Sequence, residues 1–318
     1  MSALLNLDIT GPNYSYQRNQ NFSIKGLEER LLSFYDKAEY LILCSSGMEA
    51  VTSCVEYLFP DKATIVIDKN LYYETRLWLK LVKRYNVIEI DLHNLKELFD
   101  VILDADLVFL DNPNMFQEWF DLKKISDISH GVGVKVVVDN SIVSIGCYNP
   151  LKDGADIVVE SYSKYMSGHR DLLAGGIIFA QKPENMARLE AFFGWRGRVV
   201  HPVMGLMLDT YLDTFLLRLR NQEETTHKLV ERLKKLDITV LYSGMAACFI
   251  LPLYKISDDR IPKIFQMLAT YGTVNSIITP SHQDNLYKGF PYYLRVSVGL
   301  EDIDLLWKDL CYCLKLQE

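Results

Sequence analysis

The side chains with the most chemistry to offer are Lys164 and those just before it. An apolar run, Asp156-Ile-Val-Val-Glu160, ends in Ser161-Tyr162-Ser163-Lys164-Tyr165. If the strand geometry continues, Ser161 and Ser163 face the same way. Lys164 follows at the edge of an apolar sheet, where desolvation lowers an ammonium pKa, and the neutral amine is the form that condenses with a carbonyl. Standing alone, such a lysine is an ordinary strand-ending surface residue. A second run, Val136-Val137-Val138, delivers Asp139 at its carboxyl end, where ligands bind in open α/β sheets; an Asx turn explains that residue alone just as well. A third, ending at Cys44, runs into Ser45-Ser46-Gly47-Met48. Serine is a favoured helix N-cap, and glycine lets a ligand approach the backbone closely. The free N–H groups of such a helix start form an anion site, although Ser-Ser-Gly by itself is usually just a cap.

These residues must be positioned by the elements around them. Strand-length apolar runs occur near Tyr40–Cys44, Ala63–Ile67, Val87–Ile90, Asp106–Leu110, Val134–Val138, Asp156–Val159 and Gly176–Ala180. Helical periodicity separates them at Leu27–Phe34, Met48–Tyr57, Glu74–Lys83 and Leu122–His130. Strands apolar on both faces suit a mostly parallel, covered sheet, so the fold class is α/β through about residue 182. Beyond it, Pro183–Phe193 and a long connector, Met204–Leu236, read as helices. Strands are expected at Ile238–Tyr242, Cys248–Pro252 and Tyr292–Val298, and helices at Ile261–Tyr271 and Glu301–Leu314, forming a smaller α+β domain. The expected division is an N-terminal arm and helix over 1–39, a large domain over 40–200, and a connector with a small domain over 201–318.

Composition excludes several function classes. The chain has 318 residues, 49% of them hydrophobic and 24% charged, and no repeats or low-complexity stretches, which argues against disorder. Its net charge of −7 makes a dedicated nucleic-acid binder a poor fit. No run is long enough for a membrane helix, and the N-terminus lacks the basic region of a signal peptide. The 6 cysteines form no Cys-x-x-Cys pair, so zinc is not expected and a reducing, cytoplasmic location is. Gly131-Val-Gly133 precedes a strand and is no dinucleotide loop. His169 reads as a turn residue with a structural hydrogen bond.

Taken together, a helix start with two hydroxyls for a phosphate, an Asp for a ring nitrogen and a Lys for an aldehyde are the groups that a pyridoxal phosphate site requires. Three segments, Ser45-Ser46-Gly47-Met48, Asp139-Asn140-Ser141 and Ser161-Tyr162-Ser163-Lys164-Tyr165-Met166-Ser167-Gly168-His169, resemble in order the signature segments of the cysteine/methionine-metabolism pyridoxal-phosphate family. This is the group of cystathionine γ-synthase, cystathionine lyases and methionine γ-lyase. Leu294-Arg295-Val296-Ser297-Val298-Gly299-Leu300-Glu301-Asp302 resembles its carboxylate-arginine segment, and Tyr16-Gln17-Arg18 its phosphate clamp from the neighbouring subunit.

The resemblance implies the fold-type-I architecture, a mostly parallel seven-stranded sheet flanked by helices plus a smaller C-terminal domain. It makes Lys164 the Schiff-base lysine and proton shuttle, and Asp139 the partner of the pyridine nitrogen. Ser46, Gly47, Met48, Ser161 and Ser163 hold the phosphate, with Tyr16 and Arg18 arriving across an interface. Tyr72 stacks on the ring, Arg295 takes the substrate α-carboxylate, and Ser276 and Asn114 belong to the surrounding shell. The implied assembly is a homodimer with shared sites, or two such dimers as a tetramer, and the substrate is an amino acid with a β- or γ-leaving group. Transamination, a non-catalytic pyridoxal-phosphate-binding relative and a nucleotide-binding α/β module are the alternatives. The chain departs from the pattern in being short and in carrying Tyr73 and Glu74 where the family has glycines after the stacking tyrosine. The Pro-x-Asn-Pro segment is reduced to Asp111-Asn112-Pro113-Asn114-Met115, and the Arg-Gly-Leu segment is not recognisable.

Overall fold

The computed structural model describes residues 22–197, 200–253, 260–287 and 290–316. Seven strands form the large sheet: β1 (Tyr40–Cys44), β2 (Ala63–Asp68), β3 (Tyr85–Ile90), β4 (Leu107–Asp111), β5 (Lys135–Asp139), β6 (Ile157–Ser161) and β7 (Gly175–Phe179). Their order is β1-β7-β6-β5-β4-β2-β3. The neighbours from β6 through β3 run parallel, while β7 is antiparallel to both β1 and β6. The helices around them are α1 (Phe22–Leu32), α2 (Gly47–Leu58), α3 (Tyr73–Leu81), α4 (Leu95–Val101), α5 (Leu122–His130) and α6 (Met186–Trp195).

The alternation of strand side chains explains why both faces are covered. Val66, Val108, Leu110, Val136, Val138 and Val158 enter one core with Leu27, Leu31 and Ile125. Ile65, Ile67, Phe109, Val137, Ile157 and Val159 enter the opposite core with Val51, Val55 and Leu79. Parallel strands buried on both faces read as continuous apolar runs for this reason. No helix among the described residues is long and apolar enough to cross a membrane.

The second half contains α7 (Pro202–Leu212), α8 (Phe215–Lys235), β8 (Cys248–Leu253), β9 (Gln266–Met267), β10 (Ile277–Tyr287), β11 (Phe290–Ser297) and α9 (Ile303–Leu314). The strands form a sheet of order β8-β11-β10-β9. Phe249, Leu251, Ile278, Leu294 and Val296 pack there on Leu229, Val230 and Leu233 of α8 and on Leu306 and Leu310 of α9.

Several local expectations are corrected. The connector expected over Met204–Leu236 is two helices, broken at Asp213–Thr214. At the break the Arg218 side chain takes the Tyr211 carbonyl at 3.1 Å and Asp213 accepts from Arg30 at 2.7 Å. The strand expected at Ile238–Tyr242 makes one bridge, Leu241 to Ile250, because Asp237 (φ 56°) turns the chain back and the Ile238 N–H is used by the Leu233 carbonyl. The helix expected at Ile261–Tyr271 is a turn followed by β9. Pro262 lacks a donor N–H, and the Asp309 carboxylate of α9 accepts the N–H groups of Lys263, Ile264 and Phe265 at 2.7–3.1 Å. Strand β10, which its polar stretch Ser281–Asn285 conceals in the sequence, completes the sheet.

Asp309 is therefore the anchor of the segment that replaces the expected helix. Asp309→Ala strips these buried N–H groups of their acceptor and should cost on the order of 2–4 kcal/mol; chemical denaturation measures it, and a loss below about 0.5 kcal/mol would mean that water replaces the carboxylate.

Candidate active site

The polar residues of the large sheet gather at the carboxyl ends of its parallel strands: Asp68 ends β2, Asp111 ends β4, Asp139 ends β5 and Ser161 ends β6. β1 ends beside them and leads into α2. There Ser46, in extended conformation, caps the helix by accepting the Glu49 N–H at 3.0 Å. The N–H groups of Gly47 and Met48 precede the first intrahelical acceptor and point out of the helix start. Gly47 lies so close to β6 that a Cβ there would sit 2.7 Å from the Ser161 Cβ. The Ser161 hydroxyl itself has no partner among the described residues, while its N–H donates to the Ser141 hydroxyl at 2.8 Å. Two free amides, a free hydroxyl and a flat glycine surface thus face one space, which is a cradle for an anion.

Asp139 stands one strand away. Its Oδ1 accepts the Ser141 N–H at 2.9 Å. Burial raises its pKa, and the Ser141 hydrogen bonds and the Lys164 charge oppose the rise. Asp111 is its register partner on β4 and accepts the Tyr72 N–H at 2.7 Å. That bond sets the residue preceding α3, so the tyrosine ring shares the neighbourhood of Asp139, Arg295 and Glu74.

The small domain closes the site. Lys164 donates through Nζ to the Thr270 hydroxyl at 3.1 Å, and Nζ lies 4.7 Å from the centre of the Tyr271 ring. The Arg295 guanidinium is 5.1 Å from the same ring and its Nη2 is 3.4 Å from both the Thr270 carbonyl and the Thr279 hydroxyl. Burial first, then the Arg295 charge, brings the Lys164 amine down to about 8, and Asp139 partly offsets them. The fit is set by backbone contact. A Cβ on Gly272 (φ +74°) would lie 2.9 Å from the Tyr165 nitrogen and 3.2 Å from the Lys164 Cβ, and the Val274 N–H donates to the Gly168 carbonyl at 2.8 Å. Two residues of α8, one helical turn apart, hold both sides. Arg218 donates to the carbonyls of Tyr165 and Met166 at 3.0 and 2.8 Å, and Gln222 donates to those of Thr273 and Val298 at 2.6 and 3.0 Å.

Lys164, Asp139, Tyr72, Arg295, Gly47, Met48, Ser46 and Ser161 thus converge on one space. Other expected residues do not present themselves to this space. The Ser163 hydroxyl is used by the Ala174 backbone, donating at 3.2 Å and accepting at 3.0 Å. Asn114 is fully buried and accepts from Phe116 and Glu118 of its own loop. Ser276 is fully buried, donates to Glu301 and accepts from Gly299, both at 2.7 Å. Glu74 borders the space from its rim, exposed in the first turn of α3 two residues after Tyr72, whose phenol its charge reaches. His169 contacts the Ser167 carbonyl and stacks on Tyr211 at 4.2 Å, the structural role expected of it. Tyr16 and Arg18 lie outside the described residues.

The sequence profile of the Cys/Met metabolism PLP-dependent enzyme family matches residues 7–255. The chain belongs to this family. It is 30% identical over 339 residues to a chloroplastic cystathionine β-lyase of Arabidopsis thaliana, covering 94% of this chain and 72% of that protein. It is 30% identical over 230 residues to an L-methionine γ-lyase of Fusobacterium nucleatum subsp. polymorphum, covering 70% and 58%. Among solved structures, a methionine γ-lyase from Micromonospora echinospora superposes with a TM-score of 0.85 at 25% identity, covering 96% of this chain and 89% of that one. A cystathionine γ-synthase from Xanthomonas oryzae pv. oryzae shares the fold, with a TM-score of 0.86 at 23% identity and 96% and 88% coverage. The architecture is accordingly that of the fold-type-I enzymes, and the cofactor of the family is pyridoxal phosphate.

The residues present fit that cofactor. The helix-start cradle suits its phosphate, Asp139 its ring nitrogen, and a lysine whose amine is partly neutral near physiological pH its aldehyde. The Arg295 Nε is buried without a partner among the described residues, a donor waiting for a carboxylate. Sequence reasoning missed Thr270, Tyr271, Gly272, Arg218 and Gln222. Thr270 and Tyr271 fall in the helix expected over Ile261–Tyr271 and Gly272 just beyond it, and Arg218 and Gln222 fall inside the long helix expected over Met204–Leu236.

The cradle generates a prediction. Gly47→Ala places a methyl against Ser161 and should weaken cofactor binding on the order of 10–100-fold while leaving the circular dichroism spectrum intact. Equilibrium titration followed by fluorescence measures it; unchanged affinity would move the phosphate elsewhere.

Proposed function

We propose that the chain catalyses elimination or replacement at the β- or γ-carbon of an amino acid, with Lys164 as the amine that holds the cofactor and then moves the substrate's protons. The observation that carries this reading is the setting of that amine, enclosed between Asp139 and Arg295 and brought down to about 8 by burial and by the arginine. Bound at this site, the cofactor supplies a sink for the electron pair left at the α-carbon.

In this reading the chain's own residues do the rest. Arg295 offers its free Nε and its Nη groups to the substrate α-carboxylate, a match for a planar fork. This fixes the α-carbon near the Lys164 Nζ, which as a neutral amine accepts the α-proton and delivers it toward the leaving group. Asp139, ionised, keeps a proton on the ring nitrogen. Gly47, Met48, Ser46 and Ser161 hold the phosphate, with Ser163 supporting that wall through Ala174. Tyr72 covers the ring, steadied by the Asp111 carboxylate on its N–H. Asn114 and Ser276 act on loop geometry instead of touching substrate. In this reading the chain divides into 1–39, 40–200 and 201–318, with the site between the large and small domains.

Specificity in this reading is set by Tyr73 and Glu74, which stand where the family pattern that the segment resembles has glycines. A carboxylate beside the distal end of the substrate favours a polar or cationic group over a methyl thioether. O-activated homoserines, cystathionine, cysteine and methionine should be compared by keto-acid release and product analysis. Cystathionine or another substrate with a polar distal group should exceed methionine, and Glu74→Gly should narrow that gap without changing cofactor affinity. Methionine turned over as fast as every polar substrate would contradict the assignment of Glu74. Borohydride reduction of the loaded enzyme followed by peptide mapping should label Lys164; a label on another lysine refutes the central assignment.

The minimal functional assembly in this reading is a two-fold dimer, alone or paired into a tetramer, in which Tyr16 and Arg18 of one copy complete the phosphate site of the other. Arg18→Ala and Lys164→Ala, each inactive alone, should regain about a quarter of wild-type activity when unfolded and refolded together, because about half of the dimers are mixed and each of those has one intact site. No recovery despite demonstrated mixing would place Arg18 in its own subunit's site.

A further inference from the structure

Asp111 is buried deeper than Asp139, with 3% against 9% of its surface exposed, and it touches the site only through other residues. On adjacent parallel strands the two are register partners, so their side chains project on the same side of the sheet, and the strand spacing of about 4.8 Å keeps them close. The oxygens of Asp111 are unequal. Oδ2 accepts the Tyr72 N–H at 2.7 Å, while Oδ1 is buried with no donor among the described residues. The charged or titratable groups that bear on Asp111 are Asp139 from β5, Asp68 from β2, the Tyr72 phenol at the start of α3 and Tyr271 from the small domain, with Lys164 facing Asp139 from beyond. No cation of the described residues neutralises Asp111 directly. Asp139 is the charge that acts most strongly on Asp111, and of two carboxylates on one sheet face one is held more readily as the neutral acid.

We propose that Asp111 is a positioning residue that stays protonated beside an ionised Asp139, fixing Tyr72 through Oδ2 while its Oδ1–H is directed at Asp139. Asp139 then faces the cofactor's ring nitrogen as a single, oriented negative charge, and the stacking tyrosine is locked to the same pair. Burial and the Asp139 charge both raise the Asp111 pKa, in agreement with this arrangement. The role toward the cofactor rests on the function proposed above; the state of the carboxyl pair does not.

The sign of the consequence follows from proton linkage. A carboxyl protonated in the folded protein and ionised in the unfolded chain stabilises the fold less as pH rises above the unfolded value near ~3.9. Over that range it contributes about a tenfold increase in the unfolding equilibrium constant per pH unit. Asp111→Asn keeps the shape, still accepts the Tyr72 N–H through its oxygen and cannot ionise. In the cofactor-free protein, denaturant unfolding measured from pH 6 to pH 8.5 should therefore fall off less steeply for Asp111→Asn than for wild type, by about tenfold per pH unit in the unfolding constant. Parallel curves would show that Asp111 is already ionised and overturn the proposal, as a merely structural role also predicts parallel curves. If Asp111→Asn does not fold, infrared spectra of the wild-type apo protein with labelled aspartate decide: a protonated-carboxyl C=O band at pH 7 is expected, and its absence overturns the proposal. A final arm titrates pyridoxal phosphate into both proteins at pH 7. Affinities within about threefold are expected, and a loss beyond about tenfold in the variant would mean that an ionised Asp111 is needed. Failure of the wild type itself to bind would refute the functional reading and leave the carboxyl pair untouched.

Discussion

The site depends on one contact, the seating of residues 270–274 of the small domain on the turn that carries Lys164. Gly272 passes so close to the backbone of Lys164 and Tyr165 that no side chain could stand in its place, and the Val274 N–H bonds the Gly168 carbonyl. This proximity brings Thr270, the Tyr271 ring and Arg295 around the amine. Helix α8 maintains the spacing from below, with Arg218 on one loop and Gln222 on the other. Among the described residues Arg218 has carbonyls and one threonine hydroxyl as its hydrogen-bond partners, so a buried cation is spent on orienting backbone dipoles. The close approach of its Nη1 to Gly168 leaves no room there for a larger residue.

The large sheet contributes the opposite kind of constraint. Its central strands need apolar residues on both faces, so polar groups can enter only at the carboxyl ends, and there they crowd. Asp68, Asp111 and Asp139 end neighbouring strands, and Glu160 lies one residue before Ser161. Glu160 is raised to about 7 by burial, yet it accepts hydrogen bonds from Tyr35 at 2.9 Å, from Ser144 and from the Ile145 N–H. It thereby ties the loop after Asp139 to the strand that delivers Ser161 and Lys164. The acidic groups on the two sides of the sheet are thus placed differently, Glu160 tied into the backbone on one and Asp111 and Asp139 side by side at the candidate site on the other.

Much of this was legible in the sequence, for physical reasons. Strands β1, β2 and β4–β7 announce themselves as short apolar runs, because burial on both faces leaves no alternation to confuse them with surface strands. Lys164, Asp139 and the Ser45–Met48 helix start could be read because each closes such a run. The small domain was harder. Strand β10 carries a polar stretch, residues 261–271 look helical until Asp309 claims their N–H groups, and the partners of Lys164 come from that misread segment. Ser163, Asn114 and Ser276 have the right residue types, but local hydrogen bonds occupy their polar atoms, which spacing alone does not disclose. Asp111 was visible as part of a reduced motif, whereas its pairing with Asp139 depends on strand order.

The claim on which the rest turns is that enclosure by the small domain sets the protonation of Lys164. The direct measurement is the pH titration of that amine in the cofactor-free protein, by competitive labelling of lysines and quantitation of the Lys164 peptide. The account predicts a midpoint of about 8, rising when Arg295→Gln removes the neighbouring charge and falling when Asp139→Asn removes the opposing one. A midpoint at the ordinary lysine value near ~10.4, indifferent to both substitutions, would contradict it.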